Sequence, residues 1–96
     1  MGEYKVHNLR ENNRPGDWLD YWEKATRQKA GNCHRVDCLN GSNEPATDGA
    51  HVQLDSPDDR RWWIVPLCRK CNCQFGAHFT VNGPLVSVAD EKVILW

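Results

Sequence analysis

The chain lacks several features that identify common protein classes. No apolar run is long enough to span a bilayer, and the polar first residues carry no signal-peptide pattern. Twelve Lys and Arg against thirteen Asp and Glu give a formal charge of −1, without the basic excess of a dedicated nucleic-acid binder. Phosphate loops, dinucleotide fingerprints, nucleophilic serine motifs and repeats are also missing from the sequence. We therefore expect one small domain without a membrane partner in a reducing compartment, the cytoplasm.

Cysteine and tryptophan, in contrast, are abundant for a chain of 96 residues, with five of each. A domain of this size builds only a marginal apolar core, and buried indole rings or a bound metal ion can supply the missing stability. The tryptophans are Trp18, Trp22, Trp62, Trp63 and Trp96. We expect core packing rather than base stacking for Trp18, Trp22 and at least one of Trp62 and Trp63.

Four of the cysteines form two close pairs, Cys33-x4-Cys38 and Cys68-x2-Cys71. Each pair can place two thiolates on one ion, and two pairs complete the tetrahedral four-sulfur shell of structural Zn²⁺ sites. The alternatives are four unconnected thiols, or disulfides if the protein is exported. A complete disulfide set would leave one of the five cysteines over, so the odd count favours the metal.

Three other residues lie near enough to the pairs to compete for the ion. Cys73 follows the second pair by two positions, and we predict a spare buried thiol there. His34 and His78 remain as weaker substitute ligands.

The first third of the chain predicts an arm and a helix. Residues 1–14 are polar and indicate a flexible arm. Pro15-Gly16 interrupts the chain, and Asp17 is a suitable N-cap for a helix over residues 17–30. The side chains at helical spacing on one face are Trp18, Tyr21, Trp22 and Ala25.

The remainder predicts two β-hairpins around a short helix. Alternating residues 50–54 and the apolar run 61–65 indicate the first hairpin. A short helix is expected to begin at Cys68. Asn82-Gly83 between two apolar runs indicates a second hairpin over residues 78–88. Residues 92–96 are expected to add a terminal strand, so that the two together occupy residues 78–96. The predicted fold class is therefore α+β, a small zinc-stapled domain with an N-terminal helix and a C-terminal hairpin.

The order of motifs over residues 33–72 resembles the HNH group of ββα-metal nucleases. The segments that carry the resemblance are Cys33-x4-Cys38, Gly49-Ala50-His51-Val52, and Ile64-Val65-Pro66-Leu67-Cys68-x2-Cys71-Asn72. With its Trp-rich N-terminal helix, the chain is similar more narrowly to small bacterial HNH-like proteins. The resemblance implies a treble-clef-like fold in which the cysteine pairs staple the ends of the motif.

The resemblance also implies a chemistry. In the family a strand histidine polarises a water that attacks a phosphodiester, beside a divalent cation that is usually Mg²⁺. This assigns His51 as general base and Asn72 as a cation ligand, with DNA or RNA as substrate.

Two positions depart from the family pattern. The residue before the histidine is normally a cation-binding His or Asp, and here it is Ala50. The asparagine that orients the base is replaced by Trp63. Asp48 or His78 would have to complete the cation site, since Mg²⁺ prefers carboxylate ligands in octahedral geometry.

These departures support a second hypothesis, a non-catalytic zinc module that binds a protein or a nucleic acid. His51 is then a hairpin histidine bonded to a neighbouring backbone group. Strand alternation puts it with Gln53 on one face, predicted to be polar, and Val52 with Leu54 on the other. The sequence leaves the oligomeric state open.

The basic residues near the hairpin allow two interpretations. They form either a phosphate-binding patch or a solvated face of mixed charge, and we favour the mixed face. The residues concerned are Arg60, Arg61, Arg69 and Lys70, with Asp55, Asp58 and Asp59 close by.

Overall fold

A computed structural model describes residues 2–10, 14–88 and 93–96 of the chain. Within these ranges lie a 12-residue helix, a one-turn helix and a six-stranded antiparallel sheet. In chain order the elements are β1 (Glu3–Asn8), α1 (Pro15–Thr26), β2 (Asp48–Leu54), β3 (Trp63–Leu67), α2 (Arg69–Asn72), β4 (His78–Asn82), β5 (Leu85–Ser87) and β6 (Ile94–Leu95). The predicted combination of helix and sheet is thus confirmed.

The sheet is curled, and its connectivity requires the curl. Its strand order is β4-β1-β2-β3-β5-β6, so β4 and β5 are separated by three strands. In a flat sheet that separation would be about 19 Å, because neighbouring strands lie about 4.8 Å apart. Only Gly83 and Pro84 connect β4 to β5, and this link spans at most about 11 Å. The two strands can be joined only if the sheet bends around.

The segment between the first two cysteines closes the open side of the curl. The His34 N–H donates to the Pro66 carbonyl of β3 at 2.9 Å. Its neighbour Arg35 forms a β-bridge with Val81 of β4, and the Val36 N–H donates to the Thr80 carbonyl at 2.9 Å. This segment therefore joins two strands that do not pair with each other.

The curled sheet has an inner face and an outer face. The inner face encloses the main core, whose fully buried members include Val6, Val52, Trp63 and Val65. The outer face packs against α1 through a smaller cluster built around Trp22. Since successive strand residues alternate between faces, each β2 residue can be assigned to one of them.

Helix α1 begins and ends earlier than the predicted range 17–30. Pro15 occupies the first helical position, where its missing N–H leaves no bond unmade. Arg14, not Asp17, is the N-cap residue, and the helix ends at Thr26 because Arg27 adopts a left-handed conformation with φ of 57°. The predicted apolar face is confirmed: Trp22 is buried, with Trp18, Tyr21 and Ala25 packed around it.

The hairpin of β2 and β3 confirms the prediction from the alternating pattern. His51 pairs with Ile64, and Ala50 pairs with Val65. Strand β2 starts two residues before the predicted residue 50, and β3 runs from Trp63 to Leu67 instead of over residues 61–65.

Two predicted features at the ends of the chain are wrong. The arm expected over residues 1–14 contains β1, which pairs with β2 on one side and β4 on the other; residues 11–13 lie outside the described residues. The hairpin expected over residues 78–88 does not form either, because β4 pairs with β1 while β5 pairs with β3 and β6. The predicted terminal strand corresponds to β6, and residue 92, where it was expected to begin, lies outside the described part of the chain.

Candidate metal centre

The four paired cysteines meet at one point between the loop before β2 and the start of α2. Their Sγ atoms all lie within 4.8 Å of one another. The Sγ of Cys38 is 3.7 Å from that of Cys68 and 3.8 Å from that of Cys71. A tetrahedral ion with Zn–S bonds of about 2.3 Å requires sulfur–sulfur distances of about 3.8 Å. The cluster therefore has the dimensions of a four-sulfur metal site.

Neighbouring N–H groups are directed at these sulfur atoms. The Leu39 N–H lies 3.5 Å from the Cys71 Sγ, and the Asn40 side-chain amide lies 3.7 Å from the Cys68 Sγ. Such donors offset the negative charge of metal-bound thiolates and orient the ligands. They are local consequences of the loop that follows Cys38, which turns tightly enough for the Gly41 N–H to reach the Cys38 carbonyl at 3.1 Å.

Burial opposes ionisation of two of the four thiols. Burial raises the pKa of the Cys33 thiol well above its usual value and that of Cys71 to about 11. At Cys38 burial also raises the pKa, but hydrogen bonds from the Asn40 N–H and the neighbouring thiols outweigh it and the pKa is lowered. Thiolates this close repel one another unless a cation lies between them. A four-sulfur donor set suits Zn²⁺ and leaves no coordination position for a substrate.

The three competing ligand candidates lie outside this cluster. Cys73 is exposed, which corrects the prediction of a buried thiol there, because α2 ends at Asn72 and the chain turns outward. The His34 ring nitrogens face the carbonyl oxygens of Asn82 and Ala30 at 3.0 and 3.1 Å. His78 lies on β4 and belongs to a different group of side chains.

His51 lies on the outer face of β2, under helix α1. Its ring is edge-on to Trp18 with ring centres 4.8 Å apart, and edge-on to Trp62 at 5.8 Å. Only 3% of the residue is exposed. The polar surroundings predicted for this face are therefore wrong at His51: the alternation is as expected, but α1 covers the face with aromatic rings.

Asn72 lies on the other side of the same strand. Its side-chain amide donates to Asp48 at 2.8 Å, and Asp48 is three residues before His51 on β2. Strand residues separated by three positions point to opposite faces. The structure therefore does not bring the His51 ring and the Asn72 amide together.

Asp48 is fully buried and forms an ion pair with Arg69. The Arg69 Nε donates to one carboxylate oxygen at 2.6 Å and its Nη2 donates to the other at 3.1 Å. Burial opposes ionisation of the carboxyl, but the hydrogen bonds from Arg69, Asn72 and Thr47 outweigh it and lower its pKa. The sequence suggested that Asp48 could bind a metal cation. In the structure its carboxylate binds the Arg69 guanidinium instead.

Replacing this guanidinium should raise the pKa of the Asp48 carboxyl. Because the folded pKa now lies below the unfolded value of about 3.9, the ionised carboxylate stabilises the fold above that pH. This stabilisation is lost as the pH falls through the folded pKa. In Arg69→Gln we expect the pKa of the Asp48 carboxyl in the folded protein to be higher, as measured by carboxyl ¹³C NMR titration. As the pH is lowered, the free energy of unfolding of this variant should therefore begin to decline at a higher pH than in the wild type. Lys70→Gln, a change at the adjacent exposed residue, is the control, and equal titration of both variants would contradict the assignment.

The four basic residues of the predicted mixed face lie at both ends of β3, two before it and two after it. Arg61 pairs with Asp59 at 3.1 Å and lies over the Trp63 ring, 4.8 Å from its centre. Trp63, where the predicted resemblance would place an asparagine, is buried in the main core. Two of the four basic residues are thus engaged by carboxylates.

Sequence reasoning missed a second group of metal-ligand side chains, His7, Asp55 and His78. They come from three different strands or strand ends and are separated by more than twenty residues, so no local spacing reveals them. His7 fell in the predicted arm. The only sequence signal was its place in an alternating segment, Tyr4 to Asn8, that could have been assigned as a strand.

No protein-family model, curated protein or solved structure matches this chain. Among the described residues, no helix is long and apolar enough to cross a membrane. The interpretation of the site therefore depends on its own geometry.

Proposed function

We propose that this protein is a zinc-stabilised, HNH-like domain that does not cleave nucleic acids and acts as a non-catalytic binding module. Zn²⁺ held by Cys33, Cys38, Cys68 and Cys71 has a structural role in it. The observation that carries the proposal is the separation of His51 and Asn72 on opposite faces of β2.

The surroundings of His51 argue against a general base. A base must lie within hydrogen-bond reach of the water that it activates, and that water must reach the phosphodiester. His51 is enclosed by Trp18 and Trp62 beneath α1, with only 3% of its surface exposed. A nucleic-acid backbone could approach it only if α1 moved away from the sheet.

The surroundings of Asn72 argue against a catalytic cation in the same way. Its amide nitrogen is bonded to Asp48, whose carboxylate is already neutralised by Arg69. A divalent cation at this carboxylate would have to displace the guanidinium or bind beside its positive charge. Ala50 provides no ligand in compensation, since its methyl side chain has no donor atom and packs in the inner core.

One observation favours the alternative, an HNH-type endonuclease with His51 as base and Asn72 on Mg²⁺. The Asn72 Oδ1 is buried and has no hydrogen-bond partner among the described residues. A neutral amide oxygen in this state is a suitable ligand for a hard cation. It does not remove the difficulty that the His51 ring points away from it.

The charge distribution favours a protein as the partner of the module. Binding to nucleic acid depends on cationic contacts to phosphates, and here Arg61 and Arg69 are each paired with a carboxylate. The loop that carries Cys33 and Cys38 instead exposes the apolar side chains of Val36 and Leu39. Together with the near-zero net charge, these features support protein recognition over nucleic-acid recognition.

The test is nicking of supercoiled plasmid by the folded, zinc-loaded protein in Mg²⁺ or Mn²⁺, beside the His51→Ala variant. We expect no cleavage above the buffer control by either protein. Circular dichroism of both samples ensures that inactivity is not caused by unfolding. Cleavage by the wild type that disappears in a folded His51→Ala variant would overturn the proposal and establish the endonuclease.

A further inference from the structure

The outer face of the sheet carries a compact group of two histidines and one carboxylate at the side of β4. His7 of β1 is the direct cross-strand partner of His78 on β4, and their ring centres are 5.2 Å apart. Asp55 follows β2 and is held next to β1 by its N–H, which donates to the Lys5 carbonyl at 2.9 Å. All three side chains project outward, since their neighbours Val6, Leu54 and Phe79 belong to the inner core.

Both imidazoles point a nitrogen at the same carboxylate. The His7 Nδ1 lies 2.8 Å from one oxygen of Asp55, and the His78 Nδ1 lies 3.1 and 3.0 Å from its two oxygens. The ligand atoms of all three residues lie within 4.8 Å of one another. Ligands 2.0–2.2 Å from one ion are about 3 to 4 Å apart. Only small side-chain movements would therefore be needed to accommodate an ion.

The hydrogen bonds of Gln53 determine which nitrogen of His7 can bind a cation. The Gln53 side-chain amide donates to the Arg60 carbonyl at 2.9 Å, so its Oε1 is the atom that faces His7. This oxygen only accepts, and it lies 3.2 Å from the His7 Nε2, which must therefore carry a proton and donate it. In the neutral ring the Nδ1 then presents a lone pair to the Asp55 carboxylate.

A lone pair and a carboxylate oxygen 2.8 Å apart need a positive species between or beside them. The species is either a second proton on the ring or a metal ion. A metal-binding histidine commonly donates its other N–H to a fixed acceptor, as His7 does to Gln53. This outer bond holds the ring in the tautomer that metal coordination requires, whether or not an ion is bound.

We propose that His7, Asp55 and His78 bind a divalent first-row transition-metal ion, with Zn²⁺ as the expected occupant, at a second site separate from the four cysteines. Two imidazoles and one carboxylate suit zinc, cobalt, nickel or copper, and disfavour Mg²⁺ and Ca²⁺. Three protein ligands leave at least one coordination position open. This site faces solvent beside a shallow cavity of about 210 Å³, so water or a small anion can occupy that position.

The test uses protein in which the four cysteines are already loaded with one equivalent of Zn²⁺. Co²⁺ is titrated into it and followed by absorption and calorimetry. We expect a second equivalent to bind and to give cobalt d–d bands without the intense sulfur-to-cobalt charge transfer of a cysteine site. Ring ¹⁵N NMR with Zn²⁺ should show coordination at the Nδ1 of His7 and His78.

Four variants separate the proposed ligands from non-specific binding. His78→Ala and Asp55→Asn should each weaken the second equivalent by more than about 100-fold, because loss of an outer-shell partner alone costs about 10- to 100-fold. Gln53→Ala should fall within that smaller range. Asp58→Asn, at an exposed carboxylate in the same turn, should leave the affinity unchanged. Because the His78 side chain is 68% exposed on the edge strand β4, its replacement should not disturb folding.

Two results would overturn the inference. One is saturation of the wild-type protein at a single equivalent of metal, which would leave protonated imidazoles as the species that holds the group together. The other is a second equivalent that survives both His78→Ala and Asp55→Asn. Neither result bears on the nicking experiment, so this site and the proposed function fail independently.

Discussion

Removing the metal from the four cysteines should unfold the domain. The free energy of structural zinc binding is about 10–16 kcal/mol in small zinc domains, while the whole stability of a domain is about 5–15 kcal/mol. Folding should depend on the metal for a second reason, because the segment between Cys33 and Cys38 joins β3 to β4 and closes the curled sheet. A chelator in excess should therefore abolish the cooperative thermal transition, and zinc should restore it.

A pair of cysteine variants isolates the contribution of the cluster. Cys68→Ser removes a buried ligand and should prevent folding or lower the melting temperature drastically. Cys73→Ser changes the one exposed cysteine, outside the cluster, and should leave the melt unchanged. An unchanged melt after metal removal verified by elemental analysis would contradict the structural role of the ion.

Placing a single methyl group at Gly49 should be the most damaging small substitution in the sheet. A Cβ at this position would lie 2.7 Å from the Trp18 carbonyl oxygen and closer still to the backbone of Leu19. Overpacking costs about 1–3 kcal/mol when side chains can move aside. Backbone atoms of α1 cannot rotate away, so we expect Gly49→Ala to cost about 3 kcal/mol or more, because the whole helix must shift.

Gly16 provides the matched control, because it lies on α1, the helix that packs against Gly49 of β2. It lies in the first turn of α1, and a Cβ there would meet nothing within 4 Å. Gly16→Ala should therefore be neutral or stabilising by up to about 1 kcal/mol. The free energies of unfolding of both variants, measured in urea at saturating zinc, test the contrast. Equal free energies of unfolding for the two variants would mean that α1 does not pack directly against β2.

The parts of the structure that sequence reasoning predicted are those encoded by short-range patterns. Two close cysteine pairs predicted the sulfur cluster, and alternation before and after one turn predicted the hairpin of β2 and β3. Aromatic residues at helical spacing predicted the buried face of α1. In each case the relevant contacts connect residues that are close in sequence, or residues whose chemistry requires a common partner.

The parts that were missed depend on pairing between distant segments. The Asn82-Gly83 pair predicts a turn, but it does not determine which strands pair with each other. Strand β4 pairs with β1, which lies more than seventy residues earlier in the chain. The surroundings of His51 were missed for a similar reason. Strand alternation gives the face of a residue correctly, but it does not reveal that a helix covers that face.

The environment of Asp48 was beyond sequence reasoning as well. Its proximity to His51 in the chain suggested a shared cation, whereas the odd separation of three residues on a strand directs the two side chains apart. The arginine that pairs with Asp48 is 21 residues away, at the start of α2. Only the packing of that short helix against the inner side of β2 identifies the pair.

The position of β1 inside the sheet has a consequence for the order in which the chain acquires its structure during synthesis. This strand leaves the ribosome before the other five, yet one of its two partners, β4, emerges only after β2 and β3. Until then one edge of β1 is unpaired, and the segment between Cys33 and Cys38 cannot yet pair with β4. Completion of the sheet must therefore wait for β4, and the growing chain carries an open strand edge that is vulnerable to pairing with other chains.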